Sequence, residues 1–207
     1  MKNKKGLFIT FEGIEGSGKS THCKHAAAYL KKKGCEVLLL REPGATKIGE
    51  KIRGLLLDKT HINMTVECEL LLYNAARVQI VHEVIKPALK KGIIVICDRF
   101  YDSTIAYQCY GGKLDKKFAT KVNMFAALGV KPDMTFLLDS NVERGLKRAG
   151  RGDRMELKSL AFHKRVRKGF LELAKVYSKR FHVVKEMPIL DGKKTIEKIL
   201  NKYCIQD

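Results

Sequence analysis

Eight consecutive residues, Gly13-Ile14-Glu15-Gly16-Ser17-Gly18-Lys19-Ser20, carry the spacing G-x-x-x-x-G-K-[ST]. Glycines at these intervals let backbone N–H groups turn inward around a polyphosphate. Lys19 then reaches the β- and γ-phosphates of a nucleotide, and the Ser20 hydroxyl is placed for Mg²⁺. A helix opening at Ser20 and Thr21 adds the positive end of its dipole. Gly13 through Thr21 thus form a candidate ATP site with Mg²⁺ at Ser20. A second signal is Asp98-Arg99, directly after the apolar run Ile93-Ile-Val-Ile-Cys97. An acid leaving the C-terminal end of a buried strand stands where parallel sheets place their ligand crevice. Asp98 suits the metal's outer shell, and Arg99 suits an anionic substrate. A third is Lys147-Arg148-Ala149-Gly150-Arg151-Gly152-Asp153-Arg154, where cations and flexible glycines lie between helical stretches. Such a loop suits a lid, about residues 147–155, that closes over reacting phosphates.

These groups need a scaffold, and the chain alternates short apolar runs with longer helical ones. Leu7–Phe11, Val37–Leu40, Ile93–Cys97, Met134–Leu138 and His182–Leu190 read as strands. Between and after them Ser20–Lys33, Lys47–Leu57, Thr65–Lys91, Asp115–Leu128, Asn141–Arg148, Glu156–Arg180 and Thr195–Tyr203 read as helices. Near-continuous apolar strands are those covered on both faces. The expectation is an α/β chain of the P-loop NTPase fold, a five-stranded parallel sheet flanked by helices on both faces, with a short lid. No linker or repeat divides it, so residues 1–207 are expected to form one domain.

Composition narrows the classes. Apolar residues make up 45% and charged residues 30% of the 207, and no apolar run approaches the roughly 20 residues that span a bilayer. Leu7–Phe11 is too short for a signal-peptide core, so a cytoplasmic protein is expected. The six cysteines form no C-x-x-C pair, which argues against zinc and for free thiols. A formal net charge of +19 raises the question of nucleic acid, but the lysines fall in short clusters along the whole chain and read as solvated helix ends. No N-K-x-D motif points to a GTPase, and no apolar run ends in the D-E pair of many motor ATPases.

With Asp98-Arg99-Phe100 and Ser103-Thr104-Ile-Ala-Tyr107-Gln108, the sequence resembles the thymidylate kinases. Phe11-Glu-Gly-Ile-Glu15-Gly-Ser-Gly-Lys-Ser20, Arg41-Glu-Pro-Gly44 with Gly49-Glu-Lys-Ile-Arg53, Leu71-Leu-Tyr73-Asn-Ala-Ala-Arg77 and Lys131-Pro-Asp133 agree with that family. The likeness runs from about Leu7 to the C-terminus. It implies phosphorylation of dTMP to dTDP by ATP with Mg²⁺, and a homodimer formed through the helix near Thr65–Lys91. It also implies roles. Tyr73 would stack on thymine and Arg77 would bond a thymine carbonyl; on the residues alone, a core aromatic and a surface salt bridge remain open. Thr104 and Gln108, four apart on a helix beside Ser103, would face the base, and Tyr107 would close against the sugar. Glu15 would contact the sugar 3′-hydroxyl. Arg53 and Arg99 would clamp the monophosphate, because guanidinium forks match phosphate oxygens, with Arg41 assisting. The position after Glu15 is Gly16 rather than arginine, which resembles the class whose catalytic arginines lie in the lid: here Arg148, Arg151 and Arg154, acting with Lys19, Arg99 and Glu15.

Two positions depart from the family pattern. Ala45 stands where a second glycine usually follows R-E-P-G, and is expected to have an ordinary backbone conformation. Cys109 replaces the glycine after A-Y-Q. The competing functions are another deoxynucleoside or nucleoside-monophosphate kinase sharing the D-R motif, and a nucleic-acid-binding P-loop ATPase motivated by the charge.

Overall fold

The structure, a computed structural model, describes residues 6–150 and 152–204. Strands β1 (Phe8–Glu12), β2 (Val37–Arg41), β3 (Ile94–Asp98), β4 (Met134–Asp139) and β5 (Phe181–Lys185) form one sheet in the order β2-β3-β1-β4-β5. Every pairing is parallel. β1 lies between β3 and β4, so the chain leaves it at the point where the strand order diverges. In such sheets that crevice receives ligands.

Alternation along β1 explains its two faces. Ile9 and Phe11 point into a cluster with Cys23, Ala26, Leu30, Phe136 and Leu200, with Phe11 and Phe136 stacked at 4.9 Å. The helices on that side are α1 (Lys19–Lys32) and α9 (Ile189–Cys204). Phe8 packs edge-on against Phe100 at 4.8 Å within a second cluster. Thr10 and Glu12 are fully buried beyond it. Truncating a fully buried phenylalanine such as Phe136 removes about 3–5 kcal/mol of stability.

Helices α2 (Lys47–Leu57), α3 (Val66–Ile80), α4 (Lys86–Lys90), α5 (Tyr101–Thr104), α6 (Lys116–Ala126), α7 (Val142–Ala149) and α8 (Leu160–Val176) complete the chain. Thr46, Thr65, Asp115, Asn141 and Ser159 each accept a backbone N–H at the start of a helix, the usual remedy for unpaired first-turn donors. The expected helix Thr65–Lys91 runs as α3 and α4 joined by a π-helical stretch, Val81–Ile85. The wide turn lies just before Pro87, which has no N–H to give.

Three expectations need correction. The last strand ends at Lys185, not Leu190. Pro188 instead begins a helical turn, accepting from Asp191 and Gly192 N–H; Ile189 and Leu190, which extend the apolar run in sequence, are exposed residues of α9. The helix expected from Glu156 starts at Leu160, because Ser159 caps it and Asp153 Oδ1 holds the Met155 and Glu156 N–H groups in a preceding turn. Ala45 is left-handed, with φ 62. Its N–H donates to Glu50 Oε1 at 2.7 Å, and Arg41 grips the same carboxylate through both terminal nitrogens, so the turn keeps its shape against strain of about 1 kcal/mol.

Candidate active site

The glycine-rich loop connects β1 to α1. Gly13, Gly16 and Gly18 have φ of 144, 62 and 88, conformations that side-chain-bearing residues resist. Gly16 is also confined by α7, since a Cβ there would lie 2.0 Å from Gly145 O. Lys19 curls back over the loop, its Nζ donating to Ile14 O at 2.6 Å and lying 3.4 Å from Ser17 Oγ. Burial lowers its pKa, nearby Arg99 adds to the effect, and together they bring it to about 8 despite Asp98, Glu15 and Glu12. The Ser20 hydroxyl donates to Asp98 Oδ2 at 2.5 Å. The two oxygens expected at a metal thus come together from α1 and the end of β3.

Lys19, Ser20, Glu15 and Gly16 line a cavity of about 270 Å³. The same cavity is lined by Arg53, Tyr73, Arg77, Arg99, Ser103, Thr104, Tyr107 and Gln108, residues from α2, α3, the end of β3, α5 and the π-helical stretch Ile105–Gly111. The wide π turn brings Tyr107 and Gln108 to the cavity together with Thr104; such turns often mark functional sites.

Arg99 is the hub. It is left-handed, with φ 72. Its Nη1 donates to Gly13 O at 2.9 Å and Ser103 Oγ at 3.0 Å, and its Nη2 to Tyr107 OH at 3.0 Å and Glu15 Oε1 at 3.3 Å. Burial opposes its charge, but the polar and acidic neighbours outweigh it and hold the guanidinium protonated. Tyr107 OH donates to Glu15 Oε1 at 2.5 Å. Glu15 is largely but not wholly shielded from solvent, which favours the neutral acid, yet His163, Arg99, Lys19 and Tyr107 together lower its pKa to about 2. His163 Nδ1 stands 3.2 Å from Glu15 Oε2, close enough for electrostatic contact but out of line for a hydrogen bond, so both atoms lack a hydrogen-bond partner among the described residues.

Arg77 is almost wholly buried. Its Nε donates to Glu42 Oε2 at 2.9 Å, and its Nη1 to Thr104 Oγ1 and Asn123 Oδ1, each at 3.0 Å. It therefore binds α3 to the residue after β2, to α5 and to α6, and the surface salt bridge left open by the sequence is excluded. Arg53 is half-buried, with Nη1 on Pro43 O at 3.0 Å; burial and Arg41 lower its pKa. Tyr73 borders the cavity rather than the core, and desolvation raises the pKa of its phenol.

The expected lid arginines part company. Arg148, in the last turn of α7, is exposed and pairs with Glu186 at 3.1 Å. Together with Ser17, Gly18 and Thr21 it lines a second cavity of about 230 Å³. Arg154 is tied to the helices α2 and α3 instead. It is fully buried, its Nη1 on Glu69 Oε1 at 2.5 Å and its Nε on Leu56 O at 2.9 Å, because a buried Glu69 requires a charged partner. Gln108 Nε2 donates to the other oxygen of Glu69 at 3.1 Å. Arg151 lies outside the described residues.

Sequence reasoning missed the buried acids Glu12, Glu42 and Glu69, the buried His163, and Asp153 and Glu156 on the cavity wall. The one available signal was an acid closing an apolar strand, as Glu12 does. It also missed the segment after β5, where Glu186, Met187 and Ile189 border the second cavity.

Comparison with known proteins agrees with this fold. The family model described as thymidylate kinase matches residues 11–200. The thymidylate kinase of Geotalea daltonii is 51% identical over 189 residues, covering 86% of this chain and 88% of its own. That of Thermoanaerobacter sp. strain X514 is 44% identical over 202 residues, covering 96% and 99%. The crystal structure of thymidylate kinase from Ehrlichia chaffeensis superposes with a TM-score of 0.80 at 37% identity, covering 95% of this chain and 98% of that one. A parallel sheet with a glycine-rich loop at its switch point, a cavity lined jointly by that loop and by arginines, and this likeness over nearly the full length lead to one conclusion: the chain is a P-loop kinase and belongs to the thymidylate kinase family.

Proposed function

We propose that the chain transfers the γ-phosphoryl group of ATP to the 5′-phosphate of dTMP, giving dTDP and ADP. The carrying observation is that Lys19 and Ser20 share one cavity with Arg53 and Arg99, so a donor phosphate and an acceptor phosphate meet across its width. An oxygen of the dTMP phosphate, already anionic at neutral pH, attacks the γ-phosphorus while the bond to the β–γ bridging oxygen breaks. No general base is required. Catalysis is alignment and charge neutralisation. Lys19 balances the β- and γ-phosphates, Arg99 and Arg53 hold the acceptor, and Arg148 and Arg151 add charge from the lid. Arg154 serves the lid by anchoring it on Glu69.

The Ser20 hydroxyl and Asp98 carboxylate, 2.5 Å apart at the mouth of the loop, are hard oxygen donors of the kind Mg²⁺ accepts, and Mg²⁺ keeps most of its shell from water and phosphates. Bound there, the ion would neutralise charge on the nucleotide. Tyr73, Arg77, Thr104 and Gln108 are the base-recognising set, Tyr107 and Glu15 the sugar-facing pair, with Ser103 steadying Arg99. The second cavity, between Arg148 and the segment after β5, takes the donor nucleoside. Leu71 on α3 and Phe118 and Phe125 on α6 are exposed apolar residues on adjoining helices, which supports a homodimer through this face. The free thiols Cys23, Cys35, Cys68, Cys97 and Cys109 support a cytoplasmic setting, and among the described residues no helix is long and apolar enough to cross a membrane. A coupled assay with dTMP, dUMP, dCMP and thymidine tests the reading. Turnover is expected to be fastest with dTMP; preference for thymidine would overturn it.

A further inference from the structure

Glu12 is an acid that the phosphoryl-transfer scheme does not use. It is the last residue of β1, its exposure is 0%, and both of its oxygens are engaged. Oε1 accepts the Phe100 N–H at 2.8 Å, and Oε2 accepts the Ser103 hydroxyl at 2.6 Å. These two bonds reach opposite ends of Arg99. The Phe100 N–H belongs to the peptide immediately after Arg99, and Arg99's own N–H donates to Phe11 O at 3.0 Å. The left-handed turn at Arg99, unusual for a residue with a long side chain, is therefore pinned on both sides by the end of β1. At the other end, Ser103 Oγ accepts from Arg99 Nη1 at 3.0 Å while donating to Glu12.

We propose that Glu12 is a positioning residue for the acceptor phosphate, fixing the backbone turn and the guanidinium of Arg99 from beneath the cavity. The proposal rests on the reading of Arg99 as the acceptor clamp. A buried carboxyl is otherwise a liability at this place. Burial and the neighbouring Asp102 carboxylate push Glu12 up to about 8 against the pull of Ser103, Arg99 and the Phe100 N–H. Either protonation state does the work, since the acid form still accepts from Phe100 and can donate to Ser103. An apolar residue of the same shape would fill the space but leave the buried Phe100 N–H and Ser103 hydroxyl without this acceptor. What it would lose is the hold on Arg99.

The test is a kinetic cycle with Glu12→Met, Arg99→Ala and the double variant, each checked for folding by thermal unfolding and by affinity for a non-hydrolysable ATP analogue. Glu12→Met should raise the KM for dTMP about tenfold with ATP affinity held within about twofold, the signature of a residue acting on one substrate only. The double variant should be no worse than Arg99→Ala alone, because residues acting through one another are not additive. Glu12→Gln, which keeps an acceptor for Phe100 and a donor for Ser103, should stay within about threefold of wild type. Additive losses, or equal losses for both nucleotides, would overturn the proposal. An unchanged dTMP KM in Arg99→Ala would instead remove the clamp reading on which it stands. If Glu12→Met does not fold, Ser103→Ala cuts the side-chain arm alone; a dTMP KM raised about threefold supports the proposal, and no change refutes that arm.

Discussion

Around Lys19 the cavity is made of backbone, and around Arg77 and Arg99 it is made of side chains held by other side chains. The donor loop needs glycines at φ of 144, 62 and 88, one lysine and the start of a helix, all within a few residues. The acceptor side draws Arg53 from α2, Tyr73 and Arg77 from α3, Arg99 from the end of β3 and Thr104 from α5, and buried acids hold its two central arginines in place. A local loop tolerates the loss of its functional side chain. A network spread over the fold should not, since removing one member strands a buried partner.

The largest contrast is expected at Lys19. Lys19→Ala removes the cation that balances the triphosphate, and turnover should fall about a thousandfold, the scale of losing one well-placed transition-state donor. Its Nζ bonds Ile14 O and lies near Ser17 Oγ, and both belong to the loop itself, so thermal unfolding should hardly move. Near-normal turnover would remove the loop from the chemistry.

At Arg77 the same truncation should damage fold and recognition together. Glu42 is buried, desolvation already raises its pKa, and Arg77 is what opposes that rise. Without it, Glu42, Thr104 and Asn123 lose a shared partner, and breaking a buried pair from one side removes about 3–5 kcal/mol. Urea unfolding of Arg77→Ala should register that loss, and the KM for dTMP should rise. The double variant Arg77→Ala/Glu42→Gln sharpens the comparison: stability should partly return while dTMP affinity does not. If both return, Arg77 is a structural residue alone.

The contrast also sets what the sequence could reveal. The loop was legible because its function is local: G-x-x-x-x-G-K-[ST] fixes backbone turns, and β1 and α1 flank it by apolar period. The parallel sheet and most elements followed from the same periodicity, whereas the strand order β2-β3-β1-β4-β5 came only with the structure. Apart from Arg99, which follows an acid at the end of an apolar strand, the acceptor residues were reachable only through family likeness, since nothing local distinguishes Tyr73 at a cavity from a tyrosine in a core. Arg154 misled because arginine beside glycine signals a mobile cation, while its burial is decided by Glu69, which lies 85 positions away. Ile189 and Leu190 misled because two apolar residues after a strand look like more strand until Pro188 is given weight.

A milder probe of the donor side uses pH. Lys19 must be charged to offset phosphate, and in the free enzyme burial, helped by Arg99, lowers its pKa to about 8. kcat/KM for ATP should therefore fall above about pH 8, approaching tenfold per unit. kcat should stay nearly level, because bound triphosphate restores the proton and kcat reports the complex. The sign for folding is opposite. The unfolded chain keeps this proton up to about its ordinary value of 10.5, so between the two values it binds more protons than the folded chain. Lys19 then contributes rising stability as pH rises. A kcat/KM that stays flat to pH 10 would show that the ammonium is not the group in play.

The smallest effect is expected at Ala45, in the turn between Arg41 at the end of β2 and the helix α2 that carries Arg53. Its φ of 62 strains an alanine by about 1 kcal/mol, while glycine gains freedom in the unfolded chain worth a few tenths to 1 kcal/mol. The two nearly offset, so Ala45→Gly should change stability by less than about 1 kcal/mol, a shift of at most a few degrees in Tm for a chain of this size. The bonds that set the turn come from the Ala45 N–H and Arg41 to Glu50, and glycine keeps all of them. Turnover and dTMP KM should accordingly be unchanged. A marked loss of dTMP affinity would mean that the methyl group itself, rather than the Glu50 clasp, holds this edge of the acceptor wall.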